Sequence, residues 1–276
     1  MLMKLMYITN STDVATVAEN AGVDRIFIDM EYIGKNLRQG GMDTVQNHHT
    51  VEDIKNIRKT LKKAELLVRI NPVHDRTEAY SSTEEEVDEV IKAGADIIML
   101  PYFKTKKEAH RFLEAVAGRC KTMLLFETPE AVEGIDEIIS HPLIDEVYIG
   151  LNDLSLGYGF KFMFKPLSDG IVEKAAKKFK DRGLFFGFGG IAALGGGILN
   201  SEKILAEHVR MGSSCVILSR SFCNINGEIN IPDLEKQFGE GVKGIREYLN
   251  FCSLQDEEFF QKNKAELKAI VDSICQ

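Results

Sequence analysis

Acidic and basic side chains follow several apolar segments of the sequence, at the point where each segment ends. Asp29 and Glu31 follow one such segment, Arg69 ends another, Glu127 ends a third and Asp153 follows a fourth. Converging carboxylates repel each other unless a cation lies between them, and hard oxygen ligands select Mg²⁺ or Mn²⁺ over zinc. An arginine nearby supplies a fixed donor for a developing oxyanion. A fold that gathers these residues would therefore form a divalent-metal site with one arginine beside it.

The apolar segments alternate with longer amphipathic segments along the chain. Because the apolar segments are nearly continuous, they are expected to be strands buried on both faces, as in a parallel sheet. Eight strands interleaved with helices favour an α/β fold of the (β/α)₈ TIM-barrel type over a doubly wound open sheet. Active sites of such barrels lie at the carboxyl ends of the strands, where the polar residues stand. The predicted strands are Leu5–Thr9, Arg25–Asp29, Leu66–Ile70, Asp96–Leu100, Met123–Glu127, Glu146–Gly150, Leu184–Gly187 and Cys215–Ser219.

Helices are predicted between the strands. Apolar residues recur at helical spacing from Val51 to Leu61, after a candidate cap at Thr50, and Ser82 and Glu85 have the spacing of a capping box. These signals support the alternation of strand and helix that the barrel requires.

Two further helices are predicted after the eighth strand, over Pro232–Asn250 and Glu257–Ile274, with no strand between them. A barrel needs one closing helix, so this end of the chain exceeds the requirement. We expect residues 1–276 to form a single TIM-barrel domain with additional C-terminal helices. Residues 228–276 would be a helical extension that packs on a neighbouring subunit or is exchanged with it.

The overall composition narrows the class of protein. The chain has 276 residues, with 34 Lys and Arg against 42 Asp and Glu, which gives a formal net charge of −8. This acidity argues against nucleic acid or a membrane surface as a partner. There is neither an apolar run long enough to span a bilayer nor a recognisable signal peptide, and the 5 dispersed cysteines suit reduced thiols. The predicted location is the cytoplasm.

Several motifs, taken together and in order, resemble the HpcH/HpaI aldolase and citrate lyase β-subunit superfamily. The resemblance implies a phosphoenolpyruvate/pyruvate-type barrel with a Mg²⁺- or Mn²⁺-dependent carbon–carbon lyase site, other divalent metals being possible. It also implies a 2-oxo acid as the small-molecule substrate, and a homo-oligomer, from dimer to hexamer, that exchanges C-terminal helices. The motifs lie between Ala21 and Ser219, and they are Ala21–Asp24, Ile28–Glu31, Val68–Asn71, Ala93–Pro101, Phe126–Val132 and Ile149–Gly157.

The resemblance also implies roles for individual residues. Glu127 and Asp153 would ligate the metal. Arg69 would hold the carbonyl oxygen of the 2-oxo acid as a catalytic and substrate-binding residue. The backbone amides around Leu151, Asn152 and Asp153 would receive the carboxylate of the substrate.

The acid–base residues are less well defined. Asp29 and Glu31 would belong to the acid–base or water-ordering shell, but the histidine that follows this pair in the family is Tyr32 here. A tyrosine of ordinary pKa is a poor base at neutral pH. His49 or its neighbour His48, at the end of the long connection that begins at Glu31, is an alternative. The general base stays open at this stage.

The leading functional hypothesis is cleavage of a 4-hydroxy-2-oxo acid into pyruvate and an aldehyde, or the reverse condensation, by a class II aldolase. Strand ends supply no lysine for a Schiff base. One alternative is an acyl-CoA lyase of the citryl or malyl type. Another is a catalytically silent barrel that binds a metal and an oxo acid, which Tyr32 and Leu125 suggest because the family often has histidine and glutamine there. The aldehyde, the native metal and the direction stay open.

A phosphate site is a further possibility. Two glycine-rich segments, Gly187–Gly190 and Gly195–Gly197, follow the predicted seventh strand, and Arg220 follows the eighth. Glycine-rich backbone after the last two strands of a barrel can cradle phosphate. The same segments would equally suit a mobile lid.

Overall fold

Eight parallel strands form a closed barrel, in which each strand pairs with the next along the chain and the eighth pairs with the first. This computed structural model describes residues 3–35, 48–219, 222–223 and 230–276. The predicted TIM barrel is confirmed. The strands are β1 Lys4–Ile8, β2 Arg25–Asp29, β3 Glu65–Arg69, β4 Ile97–Leu100, β5 Lys121–Phe126, β6 Glu146–Ile149, β7 Phe185–Ile191 and β8 Cys215–Leu218.

Helices surround the barrel. The predicted cap at Thr50 and the predicted capping box at Ser82 are present, with each side chain accepting a hydrogen bond from the backbone amide three residues on. Within the described residues the helices are α1 Thr12–Asn20, α2 Val51–Thr60, α3 Thr83–Ala93, α4 Lys106–Val116, α5 Pro129–Glu133, α6 Ile135–Ile138, α7 Leu151–Gly157, α8 Lys165–Ser168, α9 Ile171–Asp181, α10 Ser201–Met211, α11 Ile231–Ser253 and α12 Glu257–Cys275. No helix of these ranges combines the length and the apolar character that a membrane span needs.

Side chains alternate along each strand between the barrel interior and the layer of helices, as the period of two requires. The alternate residues Arg25, Phe27 and Asp29 therefore lie at three levels inside the barrel. The middle level is a separate apolar cluster, distinct from the larger core between barrel and helices. Its members include Met6, Phe27, Leu67, Met99, Leu125 and Tyr148.

A layer of ion pairs fills the barrel at the end where the strands begin. The guanidinium of the fully buried Arg25 donates to both carboxylate oxygens of Glu146 at 2.6 Å and to Glu65 at 2.9 Å. Lys121 also contacts Glu65, at 2.7 Å, and Lys4 is the third cation that contacts Glu65. This layer closes the amino-terminal end of the barrel beneath the apolar level.

The seventh strand is longer than the sequence indicates. The prediction that this strand ends at Gly187 is wrong, because β7 continues to Ile191. Its pairing with β8 shifts register between Gly187 and Gly190. The first glycine-rich segment is therefore strand rather than a phosphate-binding loop, although Gly195–Gly197 does lie in the connection that follows. Arg220 lies outside the described residues.

The two C-terminal helices both pack on the barrel of the same chain. Helix α11 lies between α1 and α10 and so completes the ring of helices. Helix α12 packs over α10 and α8; its Asn263 donates to Glu207 of α10, and its Lys264 contacts Glu173 of α9. The helix beyond the barrel's own requirement is therefore α12. Its exchange with a neighbouring subunit stays a prediction.

Candidate active site

A cavity of about 480 Å³ lies at the carboxyl ends of the strands. Asp29, Arg69, Glu127 and Asp153 all line it, as do Leu151 and Asn152. The barrel thus brings together on one wall most of the residues that the sequence analysis selected from four separate strand ends. Tyr32 and His49 are placed elsewhere.

Asp29 and Arg69 form a bidentate ion pair at the ends of β2 and β3. The Nε and Nη2 atoms of Arg69 donate to the two carboxylate oxygens of Asp29, each at 2.8 Å. Nη1 of Arg69 lies 3.2 Å from Oε2 of Glu31. Since an arginine fork matches a carboxylate in geometry, the pair fixes the orientation of both side chains.

Burial and charge oppose each other in this pair. Burial alone would lower the pKa of Arg69, but the charges of Asp29 and Glu31 and the hydrogen bonds to Asp29 raise it well above its ordinary value. Burial would likewise raise the pKa of Asp29, but the charge of Arg69 and its hydrogen bonds, followed by Lys35, hold that pKa below its usual range. Both groups are therefore charged at neutral pH.

Lys35 is a cavity residue that the sequence analysis missed. Its buried Nζ donates to Oδ2 of Asp29 at 3.0 Å and lies 3.4 Å from Oε2 of Glu31. The two acidic residues are thus held by two cations, Arg69 from β3 and Lys35 from the segment after β2. The signal in the sequence is the four-residue spacing of Glu31 and Lys35, which suits an ion pair on one helical turn.

Glu127 follows β5 directly and its side chain is buried. Its Oε1 accepts a hydrogen bond from the backbone amide of Tyr102 at 2.9 Å. On the other side it meets Gly150, where an added Cβ would lie only 2.6 Å from Oε2 of Glu127. The backbone after β6 can approach this carboxylate because residue 150 has no side chain.

Asp153 lies in the first turn of α7 and is buried as well. Helix α7 begins directly after β6, so the amides of Leu151 and Asn152 and the carboxylate of Asp153 stand beside Gly150 on the cavity wall. The helix has no side-chain cap at Gly150. A short connection between β6 and α7 therefore places Asp153 on the same wall as Glu127.

Tyr32, His48 and His49 line a second cavity of about 420 Å³, together with Asn71 and Glu86. The backbone amide of Tyr32 donates at 3.0 Å to the side chain of Asn71, which lines the same cavity. Burial and the charge of Glu86 raise the pKa of Tyr32. Tyr32 is thus still less suited to act as a base than an ordinary tyrosine.

His49 lines the second cavity and contacts Asp29, which lines the first. Its Nδ1 accepts a hydrogen bond from the backbone amide of Asp29 at 3.0 Å, so a neutral ring carries its proton on Nε2. Burial lowers the pKa of His49, against the opposing charge of Asp29. Most of the long connection between Glu31 and His49 lies outside the described residues, so the rest of this region is not placed.

The donor set can be compared with what a divalent cation requires. No three or more His, Cys, Asp or Glu side chains are grouped to hold a metal within the parts of the chain that the structure describes. Mg²⁺ commonly takes one or two carboxylates from the protein and completes its shell with substrate and water. Glu127 and Asp153, on the wall of one cavity, provide this smaller donor set, and Gly150 leaves room for the carboxylate of Glu127.

A closed eight-strand α/β barrel with carboxylates and an arginine at the carboxyl ends of its strands has the architecture of TIM-barrel enzymes. Residues 4–163 match the family model described as HpcH/HpaI aldolase/citrate lyase, so the chain belongs to this family. The family consists of aldolases and lyases, and a lyase is accordingly the class of enzyme that membership indicates.

Solved structures with the same fold include two of the family. The HpcH/HpaI aldolase from Desulfitobacterium hafniense DCB-2 is 19% identical, with 89% of this chain and 93% of that chain covered and a TM-score of 0.59. An HpcH/HpaI aldolase/citrate lyase family protein from Burkholderia cenocepacia J2315 is 15% identical, with 79% and 87% covered and a TM-score of 0.60. At such identities the likeness concerns the fold. No curated protein matches the sequence significantly.

Proposed function

We propose that the protein is a divalent-metal-dependent carbon–carbon lyase of the class II aldolase type. It would cleave a 4-hydroxy-2-oxo acid into pyruvate and an aldehyde, or form it from them. The observation that carries the proposal is that Glu127 and Asp153, from separate strand ends, line one cavity with Arg69. Family membership supports the lyase class, and the cavity supports the particular chemistry.

The charges at the cavity favour a cation. Within the described residues, the side chains lining the cavity include three carboxylates and two cations, and Glu31 contacts both of those cations. Carboxylates therefore outnumber cations by two, four against two, which a divalent ion would balance. Glu127 and Asp153 would hold Mg²⁺ or Mn²⁺, which when bound supplies a Lewis acid for the 2-oxo group of the substrate.

Arg69 would stabilise the negative charge that develops on the carbonyl oxygen when the carbon–carbon bond breaks. Its guanidinium is oriented before the substrate arrives, because Asp29 binds two of its donors and Glu31 lies beside a third nitrogen. A donor that needs no reorganisation during the reaction is the form of electrostatic help that enzymes use most. The backbone amides of Leu151 and Asn152 would receive the substrate carboxylate.

The proton of the C4 hydroxyl would be taken by water rather than directly by a side chain. Asp29, whose pKa is lowered once Arg69 and Lys35 outweigh its burial, is a weak base but a good hydrogen-bond acceptor. We assign Asp29 and Glu31 to ordering this water. Tyr32 and His49 line the other cavity, and we assign them no part in the proton transfer.

The acyl-CoA lyase alternative gains no support from the basic groove that the structure contains. That groove is lined by Arg58, Lys62, Lys63, Arg119 and Lys121. It lies at the amino-terminal ends of the strands, since Lys121 begins β5, whereas Glu127 follows the other end of that strand. A coenzyme bound in the groove would not present its acyl group to the candidate site.

The test is the exchange of the methyl protons of pyruvate for deuterium, followed by NMR, with Mg²⁺ or Mn²⁺ added to the metal-free protein. Exchange reports enolate formation without any need to know the aldehyde. We expect metal-dependent exchange in the wild type and a loss of about 100-fold or more in Glu127→Gln and Asp153→Asn. The matched control is Glu130→Gln, three residues from Glu127, whose exposed carboxylate pairs with Lys104.

Retro-aldol cleavage of a panel of 4-hydroxy-2-oxo acids completes the test. Exchange together with aldehyde release would exclude the silent barrel. Exchange that persists after thorough chelation of metals, or that survives both carboxylate substitutions, would contradict the metal site proposed here. Trapping of pyruvate by borohydride as a covalent adduct would instead indicate a Schiff base.

A further inference from the structure

We propose that the aldehyde half of the substrate is apolar, an aliphatic or aromatic aldehyde rather than a hydroxylated, carboxylated or phosphorylated one. This inference rests on the proposed function and adds the class of the second substrate. It follows from the chemistry of the cavity wall opposite the carboxylates and Arg69.

The 2-oxo acid would occupy one side of the barrel mouth. Arg69, Glu127 and Asp153 follow β3, β5 and β6. Because the strands follow each other in order around the closed barrel, the wall formed by β7, β8 and β1 faces these three residues across the cavity. The group attached to the far side of the cleaved bond has to lie against that wall.

Two isoleucines form the centre of this wall. Ile8 at the end of β1 and Ile217 in β8 both line the cavity, are half-buried and belong to the interior of the barrel. Their strands are paired, with Tyr7 opposite Leu218. Ile217 is opposite Met6, so Ile8, two residues further along β1 on the same face, is the diagonal neighbour of Ile217.

The polar end of Tyr148 does not face the substrate. Its hydroxyl accepts a hydrogen bond from the backbone amide of Ile217 at 3.0 Å and contacts the carbonyl oxygens of Phe188, at 3.0 Å, and Gly189. The pairing of β7 with β8 shifts register close to this contact, between Gly187 and Gly190. Tyr148 thus contributes its aromatic ring to the cavity, while its hydroxyl is hydrogen-bonded to the backbone of β7 and β8.

Met163, from the segment between α7 and α8, adds another apolar side chain to the lining of the cavity. A methionine side chain is flexible and polarizable, so it can adapt to aliphatic or aromatic groups of different shape. Within the described residues, the part of the lining that β1, β7, β8 and Ser219 after β8 supply has no acidic or basic side chain, and its polar side chains are those of Tyr7 and Ser219.

The two cations that line the cavity are Lys35 and Arg69, as far as the described residues extend. Both contact Asp29 and Glu31 and both stand on the β2–β3 side. A carboxylate or phosphate on the aldehyde that lay against Ile8 and Ile217 would lose its hydration without a charged partner among the described residues. Burying an uncompensated charge or polar group is costly, whereas an alkyl group gains from the same contact.

The experiment compares aldehydes that differ only in polarity, in aldol addition to pyruvate. Propanal and glycolaldehyde differ by a methyl group in place of a hydroxyl, and 4-methylpentanal and succinic semialdehyde differ by an isopropyl group in place of a carboxylate. We expect kcat/KM to be about 10- to 100-fold higher for the apolar member of each pair, as for hydrophobic pockets that discriminate by one group. Glyceraldehyde 3-phosphate tests the phosphorylated class.

Two substitutions at one position separate this preference from the intrinsic reactivity of the aldehydes. Ile217→Thr places a hydroxyl on the wall, and Ile217→Val is the matched control that keeps it apolar. The ratio of kcat/KM for propanal over glycolaldehyde should fall about 10-fold in Ile217→Thr and stay within about 3-fold of wild type in Ile217→Val. Ile8→Thr and Ile8→Val repeat the comparison from β1.

The outcomes distinguish this inference from the function beneath it. In one outcome pyruvate exchange occurs, but glycolaldehyde, succinic semialdehyde or the phosphorylated aldehyde is used as well as the apolar aldehydes or better. This result would overturn the apolar assignment and leave the lyase function intact. A propanal-to-glycolaldehyde ratio that is the same in Ile217→Thr and Ile217→Val would also overturn it. A complete absence of metal-dependent pyruvate exchange would overturn the proposed function, and the assignment of the aldehyde with it.

Discussion

Asp29 and Arg69 are directly opposite each other in the pairing of β2 with β3, and both side chains point into the barrel. The guanidinium and the carboxylate therefore meet at one level without any contribution from a loop. A slip of the pairing by one residue would turn Arg69 toward the helices, because strand side chains alternate between the two faces. Barrel register thus sets the orientation of the donor that the proposed chemistry needs.

Replacing Arg69 by lysine should show how much this orientation matters. Lysine keeps the charge but cannot bind both oxygens of Asp29 in a fork, so the donor is no longer fixed. We expect the rate of pyruvate exchange in Arg69→Lys to fall about 100-fold, mainly in kcat. Arg119→Lys, a substitution at an exposed arginine, should leave the rate unchanged, and a wild-type rate in Arg69→Lys would show that the fork has no role.

Lys35 should affect the pH dependence of the reaction. Its ammonium is one of the two cations that hold the pKa of Asp29 below its ordinary value against the effect of burial. In Lys35→Met that pKa rises, so Asp29 becomes protonated at higher pH and the acidic limb of the pH–rate profile moves upward. At pH 7 we expect a rate about 10-fold lower, because Glu31 and Asp29 also lose a positioning contact.

Lys35→Arg is the control for this prediction, since it keeps a positive charge near both carboxylates. Its acidic limb should stay close to that of the wild type. An acidic limb that stays in place in Lys35→Met, measured from pH 4 to pH 9, would mean that ionisation of Asp29 does not limit the rate.

The ion-pair layer at the other end of the barrel should contribute to stability in a pH-dependent way. Burial would raise the pKa of Glu65, but hydrogen bonds to Lys121, Lys4 and Arg25 lower it to about 2 in the folded protein. Because the folded pKa is depressed, this stabilisation is present above the ordinary glutamate value of about 4.3 and is lost as the pH falls toward 2.

Urea denaturation of Glu65→Gln measures this contribution. At pH 7 we expect a decrease of about 1 to 3 kcal/mol in the free energy of unfolding, because hydrogen bonds to charged groups are lost from a partly buried site. The difference from the wild type should shrink as the pH is lowered below 4. Glu52→Gln, which breaks an exposed pair with Lys55, should change stability by less than about 0.5 kcal/mol.

The sequence predicted the barrel well because its signals are local and repeated. Each buried strand is a short apolar segment, and Asp29, Arg69 and Glu127 stand at the ends of such segments. The end of strand β7 was misjudged because Gly189 and Gly190, which follow the predicted strand, resemble a loop. In the structure they are strand, and at Gly187 a Cβ would lie 2.6 Å from the ring of Tyr148.

Residues carried by connections were harder to place. Lys35 reaches Asp29 through a turn, and nothing in strand periodicity specifies where that turn directs its side chain. Tyr32 is directed into the second cavity by the hydrogen bond of its amide to Asn71, a contact between residues far apart in the sequence. His49 likewise depends on a backbone contact with Asp29. Long-range hydrogen bonds, rather than propensity or periodicity, determine these positions.

Gly150 offers the sharpest test of the carboxylate site, because its backbone dihedrals (φ −84°, ψ 101°) are ones that alanine adopts without strain. The effect of Gly150→Ala would therefore come from its new methyl group, which would lie 2.6 Å from Oε2 of Glu127 and 2.9 Å from its Cβ. The carboxylate has to move, and we expect the Mn²⁺ concentration for half-maximal pyruvate exchange to rise about 10-fold, a loss of about 1.4 kcal/mol in metal binding.

The control is Gly239→Ala in helix α11, where an added Cβ meets no atom within 4 Å. Alanine there should raise the free energy of unfolding by about 0.5 to 1 kcal/mol, because glycine weakens a helix interior, and metal activation should not change. Thermal unfolding separates a metal defect in Gly150→Ala from a folding defect. Unaltered Mn²⁺ activation in a folded Gly150→Ala protein would mean that Glu127 does not hold the metal from this position.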